Sequence, residues 1–119
     1  MSYHHFTDMS VWKKAHQLAL AVYGFSSKFP SHEQYALTSQ LRRAVVSVSS
    51  NIAEAYGRHH SRDKARFYYN ARGSLYEVES QTILALDLGY LQEADHRQIE
   101  HLVNDIKHEL NKIIKTLTS

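Results

Sequence analysis

The sequence predicts an all-α protein whose single domain, residues 1–119, is an antiparallel up-down four-helix bundle. Apolar residues recur at alternating spacings of three and four, which is the period of a helix with one buried side. The 119 residues include one proline and four glycines, too few breaks for a turn-rich sheet protein. Short connections separate the periodic segments, and helices joined in this way pack antiparallel.

The first predicted helix carries a single apolar stripe. It is expected to end at Phe29, because the residue before a proline, here Pro30, avoids helical backbone angles. The stripe consists of Val11, Ala15, Leu18, Val22, Phe25 and Phe29.

The second predicted helix has a cap at one end and a stop signal at the other. The Ser31 hydroxyl is predicted to cap its start, and Gly57 follows its end. Ser47 and Ser50 lie away from the buried stripe, where small hydroxyl side chains allow another helix to approach closely. The stripe consists of Leu37, Leu41, Val45, Val48, Ile52 and Ala55.

The third predicted helix begins at Ser61 and ends near Gly89, and Asp95 opens the fourth. Helices of roughly 20 to 28 residues extend about 30–40 Å at 1.5 Å per residue. The inner stripe of the third helix consists of Ala71, Leu75, Val78, Thr82 and Ala85. The inner stripe of the fourth consists of Ile99, Val103, Ile106, Leu110, Ile113 and Leu117.

Aromatic residues are numerous for one slim bundle: eight tyrosines, four phenylalanines and one tryptophan. Large exposed aromatic patches usually mark contacts between proteins. Some of these rings are therefore expected to pack between protomers of a homo-oligomer. The alternative is that they fill the ends of a single core.

Positive charge is concentrated in the middle of the chain. Residues 42–72 carry seven Lys and Arg against two acidic residues, whereas residues 73–119 carry four against eight. The planar fork of arginine suits phosphate, and clustered cations gain from counterion release when they bind a polyanion. The candidate nucleic-acid-binding residues, for RNA or DNA, are Arg42, Arg43, Arg58, His59, His60, Arg62, Lys64, Arg66 and Arg72.

Two interpretations of this basic region stay open. In the first, Arg62 and Arg66 share one helical face beside the predicted start at Ser61, where unpaired N–H groups favour anions. In the second, the region is a solvated connection, or a contact with a subunit or protein partner that involves no nucleic acid. Arg58 or Arg66 would then pair with nearby carboxylates.

Several classes of function lack their sequence signatures. There is no cysteine, no glycine-rich phosphate loop and no recognisable base for Ser47, Ser49 and Ser50, so no catalytic residue and no cofactor are predicted. Glu93 and His96 form one Glu-x-x-His motif, but a di-iron bundle needs two, so no metal is predicted. No signal peptide and no apolar run of roughly 20 residues is seen, which predicts a cytoplasmic protein without a membrane partner.

The segment Ile52–Gly57 followed by Ser61 imitates a helix-turn-helix. That motif would need a buried apolar residue about six positions after the glycine, where this chain has Asp63, and a much shorter following helix. A helix-turn-helix is therefore not favoured.

A series of short motifs spans the chain from about residue 6 to 115. They are Asp8–Ala15, Phe29–Glu33, Leu37–Ala44, Ser50–Glu54, Gly57–Arg58, Gly73–Glu77 and Asp87–Leu91. In this order and spacing they resemble the bacterial four-helix-bundle family encoded by intervening sequences of large-subunit ribosomal RNA genes. That family is similar to the accessory variability determinant proteins of diversity-generating retroelements.

The resemblance implies a four-helix bundle that assembles into a ring-like homopentamer. In the retroelement branch it further implies binding of RNA and of a reverse transcriptase through a basic surface. The chain departs from the family pattern at Ser49, where proline is frequent, at Ala55, where glycine is frequent, and at Asn70, where an aliphatic residue is common. Without that proline the second helix is expected to be more regular.

Overall fold

The computed structural model describes residues 3–119, and within that range it contains helices and no strand. Short 3-10 turns, Phe6–Asp8 and Ser31–Glu33, precede the first two α-helices. The α-helices are α1 (Ser10–Ser26), α2 (Leu37–Tyr56), α3 (Ser61–Asp87) and α4 (Glu93–Thr118). The predicted all-α class with four helices is confirmed.

The four helices surround one apolar core. Helices α1 and α3 each pack against both α2 and α4. The domain is 43 Å long and 25 by 23 Å across, so the helices run along its long axis. Burial of each large core side chain stabilises the fold by about 1.5–3 kcal/mol. Each helix contributes such a residue, at most 2% exposed: Leu18, Leu41, Leu75 and Leu110.

The predicted stripes of α2 and α3 are buried at every position. Between these two helices, the hydroxyl oxygens of Ser47 and Ser74 lie 2.8 Å apart in a hydrogen bond. The Asn51 amide donates back to the Ser47 carbonyl at 2.8 Å. Small polar side chains thus allow the close approach expected on this side of α2. Helix α2 also runs through Ser49 without interruption.

The start of α2 lies later than predicted. Ser31 begins a 3-10 turn instead of capping the helix, and α2 begins at Leu37. Glu33 makes the contact to the helix start that was predicted for Ser31, since its Oε1 accepts from the Leu37 amide at 3.4 Å. Its Oε2 accepts from the Tyr90 hydroxyl at 2.8 Å. Through Glu33, the 3-10 turn therefore links the start of α2 to Tyr90 in the connection between α3 and α4.

Helix α1 ends at Ser26, three residues before the predicted end at Phe29. The chain then tightens, with the Phe29 amide donating to the Ser26 carbonyl at 3.1 Å. Phe29 is still buried, and its ring centroid lies 5.6 Å from that of Tyr90. The α1–α2 and α3–α4 connections therefore meet at one end of the domain.

The predicted stripe of α4 is correct through Leu110 and wrong beyond it. Ile114 is buried at 5% exposure, whereas the predicted Ile113 and Leu117 are only partly buried. A straight helix of 3.6 residues per turn drifts away from a strict seven-residue repeat, so the buried line passes to the next position after two heptads. The helix also begins at Glu93 instead of Asp95.

Helix α3 ends in the geometry expected of a glycine stop. Gly89 has a φ of 81°, in the left-handed region. The Tyr90 amide donates to the Ala85 carbonyl at 2.9 Å, and the Gly89 amide donates to the Leu86 carbonyl at 3.0 Å. These two bonds satisfy carbonyls that would otherwise lack partners at the helix end.

None of the helices within residues 3–119 combines the length and the apolar character that a membrane crossing requires.

Candidate nucleic-acid interface

The α2–α3 connection, residues 57–60, is held in place by a lysine. The Lys64 ammonium group donates to the carbonyl oxygens of Ala55 and Tyr56 at 3.1 and 3.2 Å. These are the last carbonyls of α2, which have no partner within the helix. A cation here also interacts favourably with the negative end of the helix dipole. Lys64 is therefore engaged in joining α2 to α3.

Two arginines converge on one ring at the start of α3. The guanidinium carbons of Arg58 and Arg66 each lie 4.6 Å from the centroid of the Phe67 ring. Arg58 also forms an ion pair with Glu54 at 3.2 Å. The pairing expected from the solvated-connection interpretation is thus present for Arg58, while Arg66 packs on an aromatic ring.

A groove of about 700 Å³ opens between the first turns of α3 and the last turn of α4. Arg62 and Arg66 both line it, one helical turn apart, together with the ring of Tyr69. Asp63, in the first turn of α3, contributes a carboxylate. The lining residues are Ser61, Arg62, Asp63, Ala65, Arg66, Tyr69, Asn70, Leu117 and Thr118.

The two arginines of this groove are not neutralised by an ion pair. Both side chains are exposed, and neither pairs with a carboxylate in the part of the chain that the structure describes. The groove also lies beside the amino end of α3, where backbone N–H groups add positive potential. We call this feature, with Arg62, Arg66 and Tyr69 as its defining residues, the cationic groove.

Arg72 extends the positive charge along α3. Its guanidinium carbon lies 4.9 Å from the centroid of the Tyr69 ring, and its Nη1 donates to Asn111 Oδ1 at 3.0 Å. Tyr69 is 44% exposed, so part of its ring is accessible beside the groove. Arg72 and Asn111 therefore hold an aromatic ring at the edge of the cationic groove.

Arg42 and Arg43 lie elsewhere. Arg43 is about 20 Å from the end of α2 at Tyr56, at 1.5 Å per residue. Arg42 turns toward α1, where its Nε donates to Ser26 Oγ at 2.8 Å and its guanidinium group covers the Tyr23 ring at 4.6 Å. The nine candidate residues therefore do not form one surface.

The two histidines of the predicted set lie on the connection itself. His59 and His60 are both exposed, and His60 directly precedes the first residue of α3 without a side-chain capping bond. They stand next to the cationic groove in the chain. The structure thus groups them with Arg58, Arg62 and Arg66 at one end of the domain.

Sequence reasoning based on charge missed Phe67 and Tyr69. Both belong to an aromatic run directly after Arg66. Arginine beside aromatic residues on a helix start is a signal for stacked guanidinium groups, because a ring face attracts a cation. Phe67 orients two arginines, and Tyr69 supplies the only tyrosine among the groove's lining residues.

Comparison with solved structures shows the same fold in a crystal structure at 1.70 Å of a protein of the S23 ribosomal protein family from Bacteroides thetaiotaomicron. The two chains align with a TM-score of 0.82 at 21% sequence identity, over 88% of this chain and 95% of that one. No curated protein matches the chain.

A family model described as 23S rRNA-intervening sequence protein matches residues 7–112. The match covers most of the chain and contains all three defining residues of the cationic groove. The chain belongs to the 23S rRNA-intervening sequence protein family.

Proposed function

We propose that this protein is a non-catalytic, oligomeric accessory protein that binds nucleic acid, RNA or DNA, through the cationic groove. The observation that carries the proposal is the pair Arg62 and Arg66, exposed on one face of α3 and free of ion pairs within residues 3–119. Uncompensated charge in one place is what a phosphate backbone recognises, and its binding releases counterions.

The surrounding contacts support the same assignment. Phe67 fixes the guanidinium groups of Arg58 and Arg66 at one end of the domain. Arginine held in one orientation loses less side-chain entropy on binding a phosphate. Asp63 opposes this charge, but it is a single carboxylate at the helix start, where an acidic side chain also stabilises the helix dipole.

A salt titration tests the proposal. The protein's affinity for a fluorescent single strand and for a fluorescent duplex should fall steeply as the salt concentration rises. For a single strand, log affinity plotted against log salt concentration should have a slope near −0.7 for each phosphate contacted. Changing Arg62 and Arg66 together to glutamine should weaken binding and make the slope shallower by about 1.4 for each engaged protomer. Binding of the single strand and binding of the duplex are both measured by fluorescence anisotropy.

A matched control removes two charges from the opposite end of the domain. Lys28 and Arg97 are exposed near the α1–α2 and α3–α4 connections, and Arg97 lies 3.9 Å from Glu93 in a solvent-exposed pair of the kind that contributes little. Changing both to glutamine gives the same net charge as the double arginine variant and should leave affinity within about twofold. Equal losses in the two variants would show non-specific attraction. Salt-independent or absent binding would favour the alternative, an interaction module without nucleic acid.

We further infer an antiparallel up-down bundle. Between α2 and α3, a later position on the first element meets an earlier position on the second: Ser47 bonds Ser74, and Arg58, just after α2, covers Phe67 near the start of α3. Between α3 and α4, Lys107 donates to Glu79 at 3.1 Å, and Arg72 donates to Asn111. Such crossed order supports helices that alternate in direction.

We also propose that the protein assembles into a ring, with the homopentamer implied by the family resemblance as the expected size. Two different surfaces expose large apolar side chains, and such patches mark protein contacts. In one, Tyr23, Tyr35 and Val46 line a groove together with Arg42 and Arg43, and Leu20 lies about one turn before Tyr23 on α1. The other, near Glu77 and Asp87 on α3, consists of Tyr76, Ile83, Leu84 and Leu88.

The first surface lies on α1, α2 and the segment between them, and the second lies on α3 and its end, so a contact between one and the other joins unlike parts of two copies. Contacts between unlike surfaces are heterologous, and they close into rings when the rotation permits. Light scattering should give a mass near five protomers, and Leu20→Glu or Leu84→Glu should each lower it. A monomeric wild-type protein would refute the ring. A reverse transcriptase as a further partner stays a prediction of the retroelement resemblance.

A further inference from the structure

The cationic groove has the parts of a site for an unpaired nucleotide. We propose that it holds one or two nucleotides of a single strand, with a base stacked on Tyr69 and the adjoining phosphate at Arg62 and Arg66. This inference rests on the proposed function and specifies its ligand. It adds a contact to the base, which charge attraction alone does not require.

Tyr69 is placed as a stacking platform. Its ring is 44% exposed and lines the groove, while the Arg72 guanidinium group lies 4.9 Å from the ring centroid. Arg72 is in turn fixed by its bond to Asn111 at 3.0 Å. A ring held in this way loses little freedom on binding, and every base has a face that can stack on it.

The phosphate position lies on the side of the groove nearer the start of α3. Arg62 and Arg66 are one turn apart on the same face, so both guanidinium groups can reach one phosphodiester or two successive ones. Ser61, the first residue of α3, lines the same region. The apolar side chains of Ala65 and Leu117 complete the lining between the two ends.

The size of the groove favours a single strand over a duplex. About 700 Å³ lies within the range of pockets that enclose small organic ligands, which is the scale of one or two nucleotides. In a duplex the bases are already stacked and paired, so a base can reach Tyr69 only after unstacking, which costs energy. The groove should therefore discriminate by strandedness as well as by charge.

The test compares two strands that carry the same charge. A fluorescent oligothymidylate and a strand of equal length with abasic sites throughout present the same phosphates but differ in their bases. Wild-type protein should bind the thymidylate about tenfold more tightly, the effect of one stacked base. Tyr69→Leu should reduce this ratio to about one, whereas Tyr69→Phe should retain it.

Tyr76→Leu is the matched control, since Tyr76 is 52% exposed on the same helix and also lies beside a cation, Lys107, at 4.5 Å. Any effect of this variant on assembly changes both affinities and leaves their ratio intact. Equal wild-type affinity for the two strands, or a ratio retained in Tyr69→Leu, overturns the inference while the proposed function survives. Failure to bind either strand overturns the inference, and the duplex in the salt titration then decides whether the proposed function stands.

Discussion

A change at Lys64 distinguishes cations that stabilise the fold from cations that are proposed to bind nucleic acid. Its ammonium group donates to two carbonyls at the end of α2, at 3.1 and 3.2 Å. Changing Lys64→Met keeps the length of the apolar stem and removes both donors and the charge. Each lost hydrogen bond costs about 0.5–1.5 kcal/mol, and the lost interaction with the helix dipole costs about 0.3–1 kcal/mol.

The expected loss of unfolding free energy for Lys64→Met is therefore about 1.3–4 kcal/mol. For a domain of this size that corresponds to a fall in Tm of about 4 °C per kcal/mol. Arg62→Gln, an exposed change without an ion pair to lose, should alter stability by less than about 0.5 kcal/mol. In binding the order should reverse, because the proposed function assigns a phosphate contact to Arg62, whereas Lys64 is engaged at the end of α2.

Thermal melts followed by circular dichroism, at one fixed protomer concentration, measure the first effect. Anisotropy with a labelled single strand measures the second. The reasoning is wrong if Lys64→Met melts within 1 °C of wild type, or if it weakens binding as much as Arg62→Gln does.

Four further changes test the core, the helix glycines and the bond between Tyr90 and Glu33. Leu75→Ala removes a fully buried side chain and should destabilise the protein by about 2–5 kcal/mol in urea unfolding. Gly89→Ala, at a φ of 81°, should cost about 1–2 kcal/mol, whereas Gly24→Ala, at a helical site with open space, should stabilise by up to about 1 kcal/mol. The hydrogen bond to Glu33 raises the pKa of Tyr90 above 10.0, so this bond's contribution to stability is present below pH 10 and is lost as pH rises through the higher folded value. Tyr90→Phe should therefore be less stable than wild type at pH 8, with a difference that narrows in alkaline melts.

Much of the fold could be predicted because it depends on local periodicity. The stripes of α2 and α3 are correct, and Gly57 and Gly89 follow the ends of those helices. The start of α2 was harder to predict from the sequence. Ser31 has a hydroxyl that could cap a helix, but Glu33 makes the bond to the first amide of α2. That choice depends on Tyr90, which is far away in the sequence and reaches Glu33 only after folding.

The candidate site was predictable in composition but not in arrangement. Clustered charge identified Arg62 and Arg66 because neighbours on one helix stay neighbours in the structure. The same count included Lys64 and Arg42, whose roles depend on tertiary contacts with the end of α2 and with Ser26. Charge counts cannot show which cations a fold has already engaged.

Helix α3 places the two proposed surfaces at different points of one rigid rod. Arg62 and Leu84 are separated by about 33 Å along its axis, at 1.5 Å per residue. Assembly through Leu84 should therefore leave the shape of each cationic groove unchanged and set only the spacing between grooves.

Binding to several grooves at once gains affinity from high effective concentration, and that gain is lost when the protomers separate. A dissociated Leu84→Glu protein should thus bind a short strand as well as wild type does but a long strand more weakly. Equal weakening for both lengths would mean that the groove itself depends on the neighbouring protomer.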